Sequence, residues 1–405
     1  MCSGARGAKY DTRCERHLMI RRPNASIAGI GLTPQAKAID TTSIGITLDA
    51  AKLALADAGM SLSDVDGLAA RWPGPGGTVF EPGAWDWTGV FGQSLNWIGD
   101  TYAQGVPGVL DAAAAVATGQ CEVALVMGGQ AGVLAGPTVA SYTRPENEFV
   151  SIWGMLTAAH FALIAQTYFH RFKPDRDKLS AIAAAIRNSG AANPLAVMAG
   201  KGPYSIDDIT ASPMITDPFY LLDLCLATEG AAAVVITTPE RARDCPHSPV
   251  SILGGGSEWY RQQYVDPPRY DEVARVGADA YRRSFAMAEL AVDDIDVFEL
   301  YDINTFEVVR QVETLGVCAE GEGADYLVEQ GIGADGSMPI NTDGGLMSFS
   351  HTGFGGPTLK VVEAVRQLRG IAGPGQVADA EHVFVTGAGA GAQYHNAMIL
   401  GHDRQ

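Results

Sequence analysis

Short apolar runs alternate along this chain with longer stretches whose apolar residues recur at helical spacing. Ala25–Leu32 (ASIAGIGL) is a compact apolar run ending in glycines, which predicts a buried strand followed by a turn. Thr42–Ala58 repeats apolar residues at helical intervals, and Gly59 stops it. Leu62–Leu68 leads into a second strand, so the chain opens as a strand–helix–strand unit of α/β type. Arg71–Trp97 is rich in Gly, Pro and Trp and has no period. It reads as a long loop of the kind that borders active sites. Gly105–Gly119 predicts a tightly packed small-residue helix, and Val123–Met127 a buried strand running into Gly128 and Gly129. Helices follow over Ala158–Phe172 and Asp177–Gly190, then a strand over Ala231–Ile236 that Pro239 ends.

The pattern starts again near Val250. A strand at Ser251–Leu253 meets Gly254–Gly256, read as a generic turn signal. Tyr270–Ala288 looks helical, Val297–Leu300 a strand, Phe306–Leu315 and Leu359–Leu368 helices, and Val383–Thr386 a strand entering a glycine run. The two stretches share one plan, which points to a duplicated α/β unit. Residues 25–249 and 250–405 are read as its halves, and residues 1–24 as a poorly ordered lead-in.

Composition narrows the class. With 47% hydrophobic and 18% charged residues, the chain has the profile of a folded enzyme rather than a disordered segment. A net charge of −18 argues against nucleic acid and against an anionic membrane surface as partners. It leaves room for an anionic ligand held by a local basic patch. The six cysteines are scattered without a C-x-x-C pair, so neither a zinc site nor a disulfide framework is indicated. No apolar run reaches the about 18 residues of a membrane span, and the N-terminus lacks a signal-peptide core, so a cytoplasmic location is expected.

Several segments together resemble the thiolase superfamily, in its sterol-carrier-protein-x branch. They are Ala25–Thr33 with Leu53–Gly59 and Asp64–Leu68, then Asp207–Ala232 (DDITASPMITDPFYLLDLCLATEGAA), Phe298–Cys318 (FELYDINTFEVVRQVETLGVC) and Asn341–Gly356 (NTDGGLMSFSHTGFGG). The resemblance spans roughly residues 25–400. It implies a five-layer α/β/α/β/α fold of two similar halves, with a homodimer core.

The departures from that family decide the chemistry. A thiolase needs a nucleophilic cysteine at the start of its buried helix, where the helix dipole lowers the thiol pKa. Counting back from Ala117-Thr118-Gly119, Tyr102 occupies that slot. The nearest cysteine, Cys121, lies beyond the helix. The second thiolase cysteine belongs in the last glycine loop, Thr386–Gln393 (TGAGAGAQ), where Gly387 fills the slot. The histidine of the family's His-Asp pair is Tyr301, followed by Asp302, and the histidine of the Gly-His-Pro loop is kept as His351.

This pattern is similar to the thiolase-like aldolases of bacterial steroid side-chain degradation, which also lack both cysteines. They cleave a β-hydroxyacyl-CoA and pair with a small OB-fold protein bearing a zinc ribbon. The resemblance thus implies a coenzyme A thioester as substrate, no cofactor or metal in this chain, and a possible heterotetramer. Retro-aldol cleavage needs a base for the β-hydroxyl, stabilisation of the thioester oxygen, and an acid for the α-carbon. Tyr301 and His351 are the candidate acid/base pair, with Asp302 fixing the loop or a helix start. Tyr102 either lines the pocket or plugs the old nucleophile site. Gly387 and Gly389 either offer backbone N–H groups to the thioester oxygen, as a nest does, or serve close packing. His160, His170, His382 and His395 read as structural or surface residues, although Tyr394-His395 directly follows the glycine loop. The alternatives are a noncatalytic acyl-CoA or lipid carrier and an atypical thiolase.

Overall fold

The computed structural model describes residues 22–73, 83–99, 105–132, 157–261, 268–353, 356–389 and 391–402. The opening unit forms as the pattern predicts. Strand β1 (Ser26–Leu32) is followed by α1 (Ser43–Asp57), whose N-terminus is capped by Thr42 accepting from the Gly45 N–H. Then come β2 (Gly67–Ala70), α2 (Asp86–Phe91), β3 (Trp97–Gly99), α3 (Val106–Ala117) and β4 (Val123–Gln130). Helices α4 (Thr157–Phe172), α5 (Arg176–Ala192) and α6 (Ile206–Ala211) lead to the small hairpin β5 (Met214–Thr216) and β6 (Phe219–Tyr220). Strand β7 (Gly230–Thr237) and α7 (Pro239–Ala242) follow. The remainder is β8 (Val250–Trp259), α8 (Tyr270–Val273), α9 (Ala278–Ala288), β9 (Val297–Glu299), α10 (Thr305–Leu315), α11 (Gly323–Gln330), α12 (Gly356–Leu368), β10 (His382–Gly389) and β11 (Tyr394–Gly401).

Nine strands form one mixed sheet in the order β3-β2-β4-β7-β1-β8-β11-β10-β9. β1 meets β8 antiparallel, with Ser26 opposite Ser251 and Ile27 opposite Val250. On either side of that junction the order mirrors itself. β1, α1, β2, α3, β4 and β7 correspond in sequence and place to β8, α9, β9, α12, β10 and β11. Three cores produce the layering. One packs α1 and α2 on the outer face of the first half, and another packs α4, α5, α9 and α10 on the outer face of the second. Between them, α3 and α12 share a core with the inward residues of β1, β4, β7, β8, β10 and β11. Each of these two central helices touches strands of both halves, which gives the α/β/α/β/α order.

Glycines set the spacing on the outer faces, and here the sequence reading needs correction. Gly254–Gly256 is not a turn but the middle of β8. A Cβ on Gly254 or Gly256 would overlap the carbonyl of Ser284 or Ala280 on α9, and one on Gly255 would overlap Leu110 of α3. In the first half, Gly29 and Gly31 of β1 meet Ala54 O and Ala50 O of α1 in the same way. Close helix–strand approach, not chain reversal, explains these residues. Likewise β4 continues through Gly128 and Gly129.

Three further expectations shift. The aperiodic stretch Arg71–Trp97 contains α2, because Trp87 and Phe91, one helical turn apart, bury together and Trp72 packs edge-on to Trp87 at 5.1 Å. Tyr270–Ala288 is two helices, broken at Gly277, whose φ of 111° leaves the helical region. Pro239 ends β7 and also begins α7, capped by Thr238.

Candidate active site

Tyr301 lies two residues past the end of β9 and is held through its backbone. Its N–H donates to Thr386 Oγ1 at 2.8 Å, and its carbonyl accepts from Gln311 Nε2 at 2.8 Å. Thr386 Oγ1 in turn donates to Gln311 Oε1 at 2.6 Å, closing a buried triangle between β9, β10 and α10. Asp302 ties down the start of the short helical segment Gly345–Phe349. It accepts from the N–H groups of Leu346 and Met347 at 2.9 and 3.2 Å and pairs with Lys360 of α12 at 3.0 Å. Lys360 also donates to Asn341 Oδ1 at 3.0 Å. Burial disfavours the Lys360 ammonium, but Asp302, Glu299 and Asp343 outweigh that and raise its pKa. Burial first, and then Asp343, push Glu299 and Glu363 well above the usual carboxylate range.

His351 sits on the loop before α12. Its N–H donates to Thr228 Oγ1 at 2.8 Å, and its carbonyl accepts from the Thr228 N–H at 3.2 Å. The Thr228 and Ser350 hydroxyls lie 2.9 Å apart, and Ser350 donates to Gln35 Oε1 at 2.8 Å. The ring's Nδ1 is 3.9 Å from Cys225 Sγ. Burial lowers the imidazole pKa to about 4, against the opposing pull of Asp302, so the ring is neutral at physiological pH.

One short segment stitches the two loops together. Cys225 N–H donates to Ile303 O and Leu226 N–H to Leu346 O, each at 2.9 Å, and Thr228 holds His351. From the first half, Gln130 at the end of β4 donates to Thr228 O at 2.8 Å. Gly353, at φ 55°, lies against Gln130, where a Cβ would approach Oε1 at 2.6 Å. Hydrogen bonds therefore join the ends of β4 and β9 and the loop before α12 through Cys225–Thr228, and tie β10 to Tyr301 through Thr386.

The glycine run departs from expectation. Gly387 and Gly389 are strand residues of β10, in register with Asn396 and Tyr394. Paired extended backbone cannot curl into an anion nest. The left-handed turn comes later, at Gly391 (φ 67°) and Ala392 (φ 61°), beside buried His160. Gly389 is required by packing, since a Cβ there would overlap the Tyr394 hydroxyl. His160 is fully buried, and burial lowers its pKa to about 4. His395 is buried on the outer side of β11, bonded to Tyr281 Oη at 2.9 Å and Glu307 Oε1 at 2.8 Å, so it is structural. Tyr102 lies outside the described residues.

No described cysteine behaves as a poised nucleophile. Cys121 is buried under Gly67, and burial with Asp66 pushes its thiol to about 12. Cys225, despite its place beside His351, is likewise pushed to about 12 by burial and then Asp302. The sequence reading missed Cys225, Thr228, Gln311, Thr386 and Lys360. The signal for Lys360 was present, because Lys360, Glu363 and Gln367 put polar groups on one stripe of a helix whose other residues demand burial.

Comparison with known proteins places the fold and the family. Residues 267–402 match the family described as thiolase C-terminal domain-like. A 17-hydroxy-3-oxo-4-pregnene-20-carboxyl-CoA lyase of Mycobacterium tuberculosis (strain ATCC 25618 / H37Rv) is 34% identical, over 93% of this chain and 99% of that protein. A steroid side-chain-cleaving aldolase of Thermomonospora curvata is 32% identical, over 94% of this chain and 98% of that protein. The solved structure of an Ltp2-ChsH2(DUF35) aldolase superposes with a TM-score of 0.81 at 30% identity, covering 95% of this chain and 99% of that one.

Proposed function

Because this chain belongs to the steroid side-chain-cleaving aldolases of the thiolase superfamily, we propose that it cleaves a bulky β-hydroxyacyl-CoA by a retro-aldol reaction. It is a carbon–carbon lyase, and its products are a ketone or aldehyde plus a short acyl-CoA such as propionyl-CoA. The observation that carries this assignment is a site rich in proton-handling groups without a usable thiolate. His351 is neutral, and the nearest described sulfur, Cys225, holds its proton.

The atoms balance without a cofactor. The proton of the β-hydroxyl passes to His351, whose neutral ring has a free lone pair to accept it. The O–H electrons form the carbonyl of the ketone as the Cα–Cβ bond breaks. The bond pair moves onto the α-carbon and thioester as an enolate, Tyr301 gives a proton to the α-carbon, and the proton taken by His351 then passes through solvent to the Tyr301 phenolate, which resets both groups. The Tyr301–Thr386–Gln311 triangle and the Cys225–Thr228 segment fix the two groups relative to each other. Gly387 and Gly389 border the same end of the sheet, and Tyr102 is assigned to the pocket lining.

Partnership follows by analogy. The Ltp2-ChsH2(DUF35) aldolase names two components. We assign this chain a homodimer core and a small OB-fold, zinc-ribbon partner, giving a heterotetramer. The halves 25–249 and 250–405 meet at the β1–β8 junction. No helix among the described residues is long and apolar enough to cross a membrane.

The test is direct. The protein, purified with any copurifying partner, is given a steroid 17-hydroxy-20-carboxyl-CoA thioester, and ketone and propionyl-CoA are followed by mass spectrometry. Cleavage is expected, with His351→Ala and Tyr301→Phe each lowering kcat by about 10²–10⁴-fold at unchanged melting temperature. Absence of cleavage, or full activity in the double variant, would overturn the assignment. A second reading, acylation at Cys225, is suggested only by its 3.9 Å approach to His351. Acyl-enzyme in the intact-mass spectrum after mixing with propionyl-CoA would favour it.

A further inference from the structure

We infer that Asn396 is a catalytic residue of this site, with its amide Nδ2 donating a hydrogen bond to the substrate's thioester oxygen as the enolate forms. This presupposes the retro-aldol reaction proposed above and adds the group that receives its charge.

Alternation along β11 sets the side chain's direction. Ala397 and Ile399 belong to the outer core, and Met398 and Leu400 to the central one. With a period of two, Asn396 points into the central layer. Its cross-strand neighbours on that face are Gly387 of β10 and Ser257 of β8, so no large side chain crowds it from either strand. Asn396 is 0% exposed, yet neither its Oδ1 nor its Nδ2 has a hydrogen-bond partner among the described residues. Buried amides in native proteins are nearly always paired, and one left wholly unpaired calls for a ligand.

Two more side chains repeat the signal. Thr352, directly after His351, and Thr358, in the first turn of α12, are both 0% exposed with unpartnered Oγ1 atoms. The direction of α12 places its first turn at the Asn396 end of the sheet. Its C-terminal Leu368 carbonyl accepts from His402 Nε2 at 2.9 Å, just past the end of β11, so its N-terminus lies where β11 begins. Helix α12 packs on both β10 and β11. The positive end of a 13-residue helix and three buried polar side chains without partners therefore share one end of the central layer, next to His351.

Chemistry selects the group they receive. The β-hydroxyl already has its acceptor in His351, and the α-carbon its donor in Tyr301. The thioester oxygen gains the negative charge and has no donor assigned. A neutral amide fixed in a dry layer is suited to that task, because it need not reorganise when charge appears.

The experiment separates this inference from the reaction it builds on. Propionyl-CoA in D₂O is incubated with the wild-type complex, and deuterium entering the α-carbon is read by mass spectrometry, since exchange reports enolate formation without the carbinol. Asn396→Leu, close in shape, and Asn396→Ala are expected to lower both exchange and cleavage by about 10²-fold or more. Affinity for propionyl-CoA should change much less. Melting temperature should stay level or rise, because an unpaired buried amide has been removed. Exchange within about threefold of wild type in both variants would overturn the inference. So would a drop in melting temperature in both, which marks a structural asparagine. A wild-type enzyme that neither exchanges nor cleaves would instead sink the lyase assignment, and this inference with it.

Discussion

Neighbouring residues on β11 face two environments that differ in how polar groups are treated. On the outer face, His395 is enclosed by Tyr281, Glu307 and Arg310, all buried. Arg310 grips both Glu307 oxygens at 2.8 Å and donates to the carbonyls of Val273, Ala274 and Val276 at 3.0–3.1 Å. On the inner face, the side chains of Asn396, Thr352 and Thr358 are just as buried and have no hydrogen-bond partners among the described residues. A saturated network has nothing left to offer a ligand and acts as scaffold. An unsaturated one carries a standing cost that calls for an explanation, and the proposal supplies a ligand. That difference is the ground on which Asn396, rather than its neighbour His395, is proposed to meet a ligand.

Breaking the outer network should have the largest effect on stability. Arg310→Ala strands a buried Glu307 carboxylate whose pKa is lowered, because Arg310 outweighs the effect of burial. A loss of about 3–5 kcal/mol is expected in urea unfolding. Cleavage per folded molecule should persist, because the network lies across the sheet from His351. Loss of activity at full stability would contradict the division into two faces.

Much of this division was readable in the sequence, but not all. Alternating apolar runs located β1, α1, α3, β4, α4, α5 and β7 within a few residues, because half-buried helices and strands must carry their period. Tyr301 and His351 were singled out through their places in motifs, and their roles remain the proposal made above. The glycines were legible only as glycines. Gly254–Gly256 and Gly387–Gly389 look like turns in a linear chain, and only the helix or ring packed against each shows them to be strand interiors. Asn396 carried no local signal at all, since the absence of a partner is a property of the folded neighbourhood. Cys225 and Thr228 likewise gained meaning only when the segment carrying them was seen to join two distant loops.

Acid should weaken the fold through its buried neutral histidines. His351 and His160 both have pKa values lowered to about 4 by burial, from an ordinary 6.5. A lowered value means that the unfolded chain binds protons the native state refuses. Stability from these groups is therefore complete above pH 6.5 and falls as pH drops toward 4. The slope is at most about 1.4 kcal/mol per pH unit for each histidine. His351→Asn should flatten the melting-temperature profile between pH 6.5 and 4 while leaving the value at pH 8 nearly unchanged. An unaltered slope would show that the His351 ring is not held neutral by its surroundings.

The finest test compares two glycine-to-alanine changes on opposite faces. At Gly254, on the outer face, the new methyl meets a helix carbonyl, Ser284 O, which cannot move without shifting α9. At Gly389 it meets the Tyr394 hydroxyl, the far end of a side chain stacked on partly exposed Trp259 at 4.9 Å. Overpacking against backbone should cost about 3 kcal/mol, and against a ring that can tilt about 1 kcal/mol. The tilted ring enters the inner layer, so Gly389→Ala should lower kcat/KM more than it lowers the melting temperature, and Gly254→Ala the reverse. If both variants lost stability and activity in parallel, the inner face would be packed as rigidly as the outer one, and the space around Asn396 would have to be explained as a packing defect rather than a binding site.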